Sequence, residues 1–395
     1  MSAADHPEQT KAGYDVLIQG AGIGGLTLAI ALQQRGYAVK IVERSSGLSE
    51  VGAGIWMMAN PMQVFSRLGF ADKVVNAGWA IKLLRLQDYR GFDIQTTDLL
   101  ETSKTFGFDT VALHRAVLQR ILFEQLLPDS VLFGREVQSL IQSEDSVYLR
   151  LSDDSALEAR VLVGADGINS QIRRLAGLGG QRRYSGSSSY RAIARGAHLL
   201  TSEAAHGAYE VWAKGCRVGF SQINPDDCYW YMTFDAPAGE SSTHTMRAHA
   251  ESLFGSFFPH CMGLLAHTRP NEILRTDIFD LKPLPKWSSG RVGLLGDAAH
   301  ATTPNLGQGG AMAVEDALAL ADAFDKNGVN AVAFQHFEQR RHRKVNWTVS
   351  TSWSIGKLCH IGNPFVRSLR NVVLKHTPKS ISEKQIRRLY SLDQQ

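Results

Sequence analysis

The stretch YDVLIQGAGIGGLTLAIALQQRGYAVKIVER, residues 14–44, decides the fold class of this chain of 395 residues. YDVLIQ is typical of a short buried strand, LTLAIALQQRG of a helix that ends near Gly36, and AVKIVE of a second strand. A strand, a helix and a strand within about 30 residues make up half of a mononucleotide-binding fold. The segment therefore predicts an α/β protein with a Rossmann-like sheet.

The glycines between the first strand and the helix indicate that the backbone approaches a phosphate group there. Gly20 permits the tight turn after the strand, Gly22 lets the backbone reach a pyrophosphate, and Gly25 allows the helix to pack closely on the strand. The helix N-terminus directs amide groups at the phosphates, and Glu43 lies where an acid binds the ribose hydroxyls. This pattern predicts FAD or NAD, and the acid disfavours NADP at this position. The candidate cofactor-binding residues of the segment are Gly20, Gly22, Gly24, Gly25, Glu43 and Arg44.

Composition and charge narrow the remaining function classes. Hydrophobic residues make up 44% of the chain and charged residues 20%, as in ordinary soluble globular proteins. The net charge of +4 comes without the dense basic stripe and interleaved aromatic residues of a nucleic-acid binder. The four cysteines are far apart and form no CxxC pair, so neither a disulfide framework nor a metal site is expected.

Targeting and membrane-spanning patterns are not found in the sequence. Residues 1–13 lack the apolar core of a signal peptide and are interpreted as a disordered lead-in. No run approaches the ~18 consecutive apolar residues of a transmembrane helix. Together with the scattered cysteines, this favours a location in the reducing cytoplasm.

Two later segments each combine a predicted strand, a glycine-containing turn and a helix. GADGINSQIR, residues 164–173, contains Asp166 and Arg173 and is also compatible with a simple capped turn. GDAAHATTPNLGQGG, residues 296–310, lies between a strand and a long helix. Three of its last four residues are glycines, which indicates backbone amides presented to an electron-rich ligand edge.

In this order, the three motifs resemble those of the FAD-dependent aromatic hydroxylases, the single-component flavoprotein monooxygenases of the para-hydroxybenzoate hydroxylase type. The resemblance extends over about residues 14–345. It implies that Asp297 binds the ribityl chain of FAD and that the loop after Pro304 lies along the isoalloxazine ring. The further residues that it implicates in binding the flavin or the nicotinamide are Arg115, Asp166, Arg173, Gly307, Gln308, Gly309 and Gly310.

The resemblance also implies an enzymatic reaction. NADH or NADPH reduces FAD, oxygen adds to give a flavin C4a-hydroperoxide, and an oxygen atom passes to an aromatic or heteroaromatic small molecule. Because the chain has one full G-x-G-x-x-G motif, NAD(P)H is expected to bind transiently without a Rossmann domain of its own. The lack of a W-x-W stretch argues against a flavin halogenase. A reductase or dehydrogenase of the same fold without oxygen insertion, and an epoxidase of an alkene, remain alternatives. The sequence leaves open NADH or NADPH, and monomer or homodimer.

Residues 184–284 differ in pattern from the rest of the chain. Segments such as YEVWAKGCRVGFSQI and CYWYMTFDAP alternate apolar and polar residues, which predicts an inserted, mostly antiparallel substrate-binding sheet. This stretch most resembles the urate hydroxylases, and more distantly the salicylate and hydroxynicotinate hydroxylases, which implies that Arg217 and Tyr231 hold the substrate ring. Pro304 is the third candidate catalytic residue. The predicted domains are a FAD-binding domain in 14–183 and 285–330, the sheet domain in 184–284, and C-terminal helices in 331–395.

The segment NPFVRSLRNVVLKH, residues 363–376, predicts an amphipathic helix with apolar residues on one face and basic residues off it. Two interpretations are compatible with this pattern: a helix packed on the body, or a helix on a membrane surface. Apolar helix faces usually point to a core, so packing on the body is favoured and membrane association is not expected. The residues assigned to the apolar face are Phe365, Leu369, Val372 and Val373.

Overall fold

The computed structural model describes residues 13–48, 53–196, 204–240, 245–255 and 259–392. Residues 1–12 of the predicted lead-in lie outside the described residues. The strands in chain order are β1 (Tyr14–Gln19), β2 (Val39–Glu43), β3 (Gly54–Met57), β4 (Trp79–Ile81), β5 (Leu83–Asp88), β6 (Asp93–Asp98), β7 (Thr110–His114), β8 (Val131–Phe133), β9 (Val137–Gln142), β10 (Val147–Leu151), β11 (Ala156–Gly164), β12 (Arg182–Ala194), β13 (Gly207–Trp212), β14 (Cys216–Gln222), β15 (Cys228–Asp235), β16 (Leu274–Leu281), β17 (Ser288–Ser289) and β18 (Val292–Leu294). The helices are α1 (Ile23–Gln33), α2 (Ala59–Arg67), α3 (Ala71–Ala77), α4 (Leu100–Phe106), α5 (Arg115–Phe123), α6 (Gln171–Leu175), α7 (Met246–Phe254), α8 (Pro259–Ala266), α9 (Asp297–His300), α10 (Gly309–Asn327), α11 (Ala331–Cys359), α12 (Pro364–Lys375) and α13 (Lys379–Tyr390).

The glycine-rich βαβ unit forms the centre of a largely parallel sheet. β1 pairs in parallel with β2 on one side and β11 on the other, and the ladder continues to β8 and β18. Val16, Leu17 and Ile18 of β1 are fully buried, as expected for a central parallel strand that is covered on both faces. The β9–β10 hairpin pairs with β11, and β17 pairs with β18 at one edge. This arrangement confirms the predicted α/β fold with a Rossmann-like unit.

Parallel pairing explains why motifs that are far apart in sequence meet in space. The register aligns Gln19 at the end of β1 with Gly164 at the end of β11, and Gly164 with Leu294 at the end of β18. The carboxyl ends of these three strands therefore lie at one edge of the sheet, where α/β proteins bind their ligands. The turns that follow the strands carry the three motifs singled out in the sequence.

A second sheet has the order β16-β12-β15-β14-β13-β5-β6. Its neighbours are antiparallel except for β13 and β5, which pair in parallel with Ala208 beside Leu84. The inserted sheet predicted in 184–284 is therefore present, and it also recruits β5 and β6 from residues 83–98. The predicted boundary at 184 did not anticipate this, because local alternation shows that a segment is a strand but not which sheet it joins.

The C-terminal helices cover the body in two different ways. α11 packs along α10, and its Phe334, Phe337, Val345 and Val349 are buried. α12 is the opposite case, because its apolar residues are exposed while Arg370 is buried. The favoured interpretation of α12 as a helix with its apolar face on the body is therefore wrong: a basic side chain makes that contact instead. In the part of the chain that the structure describes, no helix is long and apolar enough to cross a membrane.

Candidate active site

A cavity of about 1360 Å³ extends from the turn after β1 to the second sheet and the C-terminal helices. It unites the three sequence motifs with strands β13 and β15. The predicted site residues that line it are Gly20, Gly22, Gly24, Glu43, Arg44, Arg115, Asp166, Tyr231, Asp297, Pro304, Gly307, Gln308, Gly309 and Gly310. Three others lie outside its described lining: Gly25, Arg173 and Arg217.

One end of the cavity is shaped by backbone rather than by side chains. Gly20 has a φ of 110°, and a Cβ at Gly25 would lie 2.0 Å from the Gly20 carbonyl oxygen. A Cβ at Gly22 would meet no described atom within 4 Å, so the space above it is open. α1 begins at Ile23, and its first amide groups have no acceptor within the helix. An open space at the positive end of a helix fits a pyrophosphate.

Glu43 is fixed at the rim of this end by backbone amides. Its Oε2 accepts from the Ala21 amide at 2.7 Å, and its Oε1 accepts from the Ser45 amide at 2.8 Å. Each carboxylate oxygen can accept a further hydrogen bond, which fits the two hydroxyls of a ribose. Gln119 of α5 donates to the Ala21 carbonyl oxygen at 2.8 Å. The helix that begins at Arg115 is thereby braced against the glycine turn.

Asp166 lies in the turn after β11, and only one of its two carboxylate oxygens accepts hydrogen bonds from described protein groups. Its Oδ2 accepts from the amides of Gln171 and Ile172 at 2.7 and 3.1 Å at the start of α6. Its Oδ1 is buried and has no hydrogen-bond partner among the described residues, although Asp166 lines the cavity. Buried polar atoms are normally paired, so this oxygen fits a donor supplied by a ligand.

Arg173 lies on α6, outside the described lining of the cavity. Its guanidinium donates to the carbonyl oxygens of Ile168 at 2.7 Å, Gly179 at 3.0 Å and Ala298 at 2.7 Å. Because Ala298 follows Asp297 directly, Arg173 braces the turn that carries the candidate ribityl ligand. The predicted role of Arg173 in cofactor binding stays a prediction.

The segment after β18 brings a carboxylate close to a helix N-terminus. Asp297 is accessible from the cavity but surrounded by protein, and this environment raises its pKa, although His300 and Arg115 act in the opposite direction. A Cβ at Gly309 would lie 3.9 Å from Asp297 Oδ1, which shows how near the start of α10 is. Gly307 turns the chain into this helix with a φ of 65°. A carboxylate beside unpaired amides fits the ribityl hydroxyls and the electron-rich edge of a flavin ring.

A buried charge network anchors this turn from behind. Asp316 accepts from His300 Nε2 at 2.6 Å, from Arg341 Nε at 2.7 Å and from the Gly296 amide at 3.2 Å. Burial alone would raise the pKa of Asp316, but His300 and Arg341 lower it to about 2. Asp316 therefore remains a carboxylate and holds the start of the candidate flavin segment against α10 and α11.

Gln308 belongs to a second branch of this network. Asn60 of α2 donates to Gln308 Oε1 at 2.9 Å and to Glu315 Oε1 at 2.6 Å. Lys344 Nζ donates to Glu315 Oε2 at 2.8 Å and to the Ser391 carbonyl oxygen at 2.7 Å. The loop beside the candidate flavin site is thus linked through buried charges to the C-terminal segment.

At the opposite end of the cavity lies Glu210, on β13, a residue that sequence reasoning did not select. Its Oε1 accepts from Arg217 Nη1 at 2.9 Å and from Trp212 Nε1 at 2.5 Å, and its Oε2 accepts from the Tyr231 hydroxyl. Burial, with Glu210 nearby, raises the pKa of Tyr231 well above its ordinary value, so Tyr231 remains a neutral donor. A carboxylate has about four acceptor positions, so one position of Oε2 remains to which no described group donates.

Arg217 lies behind Glu210 and outside the described lining of the cavity. It is 1% exposed, and its guanidinium donates to Glu210, to Thr233 Oγ1 at 3.0 Å and to Asn305 Oδ1. Burial alone would lower the pKa of Arg217, but Glu210 raises it above the ordinary value, so the charge is retained. Through these contacts Arg217 ties the sheet to the loop that follows Pro304. The predicted contact between Arg217 and a substrate ring stays a prediction.

Aromatic side chains form much of the wall between the two ends of the cavity. Trp56 of β3 donates from Nε1 to Ser221 Oγ at 2.9 Å, which fixes the indole between β3 and β14. Tyr209 stacks on Phe220 with ring centroids 5.0 Å apart, and Tyr229 also lines the cavity. Apolar walls with a few fixed polar groups are typical of sites for small organic molecules.

Two parts of this site had no usable signal in the sequence. Glu210 occupies a polar position of the alternating segment YEVW, a pattern that indicates merely an outward-facing side chain. The side chains of Leu374, Ile381, Leu389 and Tyr390 also line the cavity. Whether these residues reach the cavity depends on the path of the chain after α11, which local periodicity does not specify.

The glycine turn after β1, the turn after β18 and the start of α10 thus form a site that fits FAD. The model of the FAD binding domain family matches residues 13–327. The chain belongs to this family, which confirms the class inferred from the three motifs. It is accordingly a flavin-dependent oxidoreductase of the monooxygenase and hydroxylase type.

Three known proteins are similar to this chain over most of its length. It is 35% identical to the aurachin C monooxygenase/isomerase of Stigmatella aurantiaca, over 92% of this chain and 94% of that protein. It is 31% identical to the 2-heptyl-3-hydroxy-4(1H)-quinolone synthase of Pseudomonas aeruginosa, over 95% and 97% of the two chains. The crystal structure of Klebsiella pneumoniae HpxO in complex with FAD and uric acid superposes with a TM-score of 0.88 at 27% identity, and covers 95% of this chain and 96% of that one.

Proposed function

We propose that this protein is an NAD(P)H-dependent FAD monooxygenase that hydroxylates a nitrogen-containing heteroaromatic small molecule. The observation that carries the proposal is Glu210, a carboxylate held by three protein donors at the far end of the candidate flavin cavity. Relatives support the ring class, because one is named for a quinolone and a solved one contains uric acid. Both are nitrogen heteroaromatics with exchangeable ring hydrogens.

Glu210 is suited to activate such a ring. A ring N–H or O–H that donates to the remaining position on Oε2 gains electron density as its proton moves toward the carboxylate. An electron-rich ring is the better acceptor of an electrophilic oxygen. Arg217 and Tyr231 are proposed to position the carboxylate, because both donate to it from fixed places on β14 and β15.

The cofactor end of the cavity is proposed to hold FAD beside the substrate. FAD, when bound, would accept a hydride from NAD(P)H and activate oxygen for transfer to the ring. The unpaired amides at Gly309 and Gly310, together with the positive end of α10, stabilise negative charge on a ligand edge placed there. Trp56 and Tyr229 also line the cavity, and their rings reduce the room for water beside a bound ligand.

Substrate-stimulated turnover tests the proposal. Quinolones, purines and hydroxypyridines are added to the FAD-loaded protein while NADH or NADPH oxidation, oxygen uptake and hydroxylated product are followed together. We expect one ring class to accelerate NAD(P)H oxidation and to yield product in step with oxygen uptake. Reduction of an added compound without oxygen uptake would instead support the reductase alternative and contradict the proposal.

The variant Glu210→Gln tests the role of the carboxylate. It keeps the shape of the side chain and removes its charge, so we expect kcat to fall about 10²-fold or more, as on loss of a general base. NAD(P)H oxidation without substrate should stay unchanged. The matched control is Glu251→Gln, because Glu251 also pairs with an arginine, Arg247 at 2.8 Å, but lies on α7 outside the described cavity lining.

A merely structural Glu210 gives a different result. Glu210→Gln would then change the midpoint of thermal unfolding and leave kcat and its pH profile intact. An unchanged pH profile with full kcat would remove Glu210 from the proposed mechanism.

A further inference from the structure

α12 contacts the body through its basic side. Arg370 is 6% exposed, and its Nη1 donates to the carbonyl oxygens of Leu358 and Cys359 at 2.9 and 3.2 Å. Its guanidinium also lies 4.5 Å from the centroid of the Trp212 ring. Arg367 lies over the ring of the tyrosine that follows β5. Cationic side chains thus make the contacts that apolar side chains make in an ordinary amphipathic helix.

The apolar face of α12 is consequently left on the outside. Phe365 is 85% exposed, Val366 47%, Leu369 64%, Val372 54% and Val373 59%. Their spacing along the helix places them on one face over about two turns. Single exposed apolar residues are ordinary, but a contiguous exposed group of this kind marks a binding surface. These five residues are called the α12 face below.

The charge around the α12 face indicates what covers it. Residues 357–390 contain eight Lys or Arg residues and one acidic residue, Glu383, which gives this segment a net charge of +7. The whole chain carries +4, so the remaining residues together carry −3. Lys357, Lys375 and Lys384 are exposed. The excess of positive over negative charge is therefore concentrated in the segment that bears the α12 face.

We propose that the α12 face binds the surface of an anionic lipid bilayer, with its apolar side chains at the boundary between headgroups and acyl chains. An apolar helix face within a basic segment has the composition of an interfacial helix, and each basic residue near an anionic surface adds to the attraction. A second copy of the chain is a poorer match, because two segments of charge +7 would face each other. The proposal goes beyond the proposed function and does not depend on it.

The cavity extends to residues close to the α12 face. Leu374, adjacent to Val373 in the last turn of α12, lines the cavity. Ile381 of α13 lines it as well and is 49% exposed. A bilayer that covers the α12 face would therefore lie next to this part of the cavity. If the proposed function holds, an apolar heteroaromatic substrate has a short path from the bilayer into the cavity.

Vesicle binding by the FAD-loaded protein tests the proposal without any turnover. The protein is floated with vesicles of phosphatidylcholine alone and with vesicles of phosphatidylcholine and phosphatidylglycerol in equal amounts. We expect binding to the anionic vesicles that weakens as salt is added, because exposed charges are screened. The double variant Leu369→Ser/Val373→Ser should weaken that binding about tenfold or more, as two apolar side chains are lost from the interface.

The matched control removes two equally exposed apolar side chains elsewhere. Leu127 and Ile141 are 62% and 67% exposed, so Leu127→Ser/Ile141→Ser should bind the anionic vesicles like the unaltered protein. Equal loss in both double variants would overturn the proposal, as would the absence of vesicle binding. Sedimentation velocity tests whether a second copy of the chain covers the α12 face instead. If the protein is a dimer that Leu369→Ser/Val373→Ser dissociates, the α12 face is a dimer interface and the lipid assignment is refuted.

Discussion

The two ends of the cavity are built from different parts of the polypeptide. The candidate flavin end consists of glycines, helix N-termini and backbone amides at the carboxyl edge of the parallel sheet. The candidate substrate end consists of side chains from β13, β14 and β15 that hold one another through Glu210. Backbone geometry recurs wherever a phosphate or a ring edge must be approached, whereas a side-chain cluster can be altered one residue at a time. The first end is therefore suited to a constant ligand and the second to a variable one.

The largest expected effect concerns the side-chain end. Arg217→Met leaves the Glu210 carboxylate without its buried cationic partner, which should destabilise the protein by about 3–5 kcal/mol. Urea unfolding measures the loss. The double variant Arg217→Met/Glu210→Gln should recover part of it, because the unpaired charge is gone. No recovery would mean that Arg217 acts through packing alone.

A somewhat smaller effect is expected at the backbone end. A Cβ at Gly25 would meet the Gly20 carbonyl oxygen at 2.0 Å, so Gly25→Ala should destabilise the FAD-free protein by about 3 kcal/mol. Gly22→Ala is the matched comparison, because its φ of −74° suits alanine and its Cβ meets no described atom. We expect Gly22→Ala to change stability by less than about 1 kcal/mol and yet to lose FAD absorbance on purification. Equal loss of stability in both variants would contradict the expectation that Gly25 is needed for packing and Gly22 for FAD binding.

The smallest effect is expected from Asp297→Asn, and it depends on pH. The pKa of Asp297 is raised in the folded protein, so its contribution to stability is present below the unfolded pKa and is lost as pH rises through the folded pKa. Asparagine cannot carry this charge, so the unfolding midpoint of the FAD-free variant should lie slightly above that of the parent at mildly alkaline pH. The difference should shrink in acid. FAD affinity should fall at the same time, and a variant that binds FAD like the parent would exclude Asp297 as a ligand.

The two ends also differ in how far the sequence predicted them. Gly20, Asp166 and Asp297 could be selected from the sequence because each follows a strand, and parallel strands bring their ends to one edge. Their roles toward a cofactor stay predictions. The side chains of Arg173 and Arg217 donate to protein acceptors, and residue type alone does not specify the direction of a side chain. Glu210 was missed because its partners come from three strands that meet after folding.

For α12, the sequence likewise predicted the element but not the direction in which its side chains point. Its periodicity correctly indicated an amphipathic helix, and the apolar residues do share one face. Which face contacts the body depended on acceptors and rings elsewhere in the chain, such as the Leu358 carbonyl oxygen and Trp212. Periodicity describes a helix and not its surroundings, so the outward orientation could not be predicted.

The link from Lys344 to the Ser391 carbonyl oxygen has a consequence for the order in which the protein matures. Gln63 of α2 likewise donates to the Tyr390 carbonyl oxygen at 2.9 Å, and Leu389 and Tyr390 wall the cavity. The glycine cradle emerges early during synthesis, whereas this wall is among the last parts of residues 1–395 to be made. A nascent chain can thus present the dinucleotide cradle long before the cavity is closed. The dinucleotide turn and the wall of the substrate chamber thus come from opposite ends of the described chain.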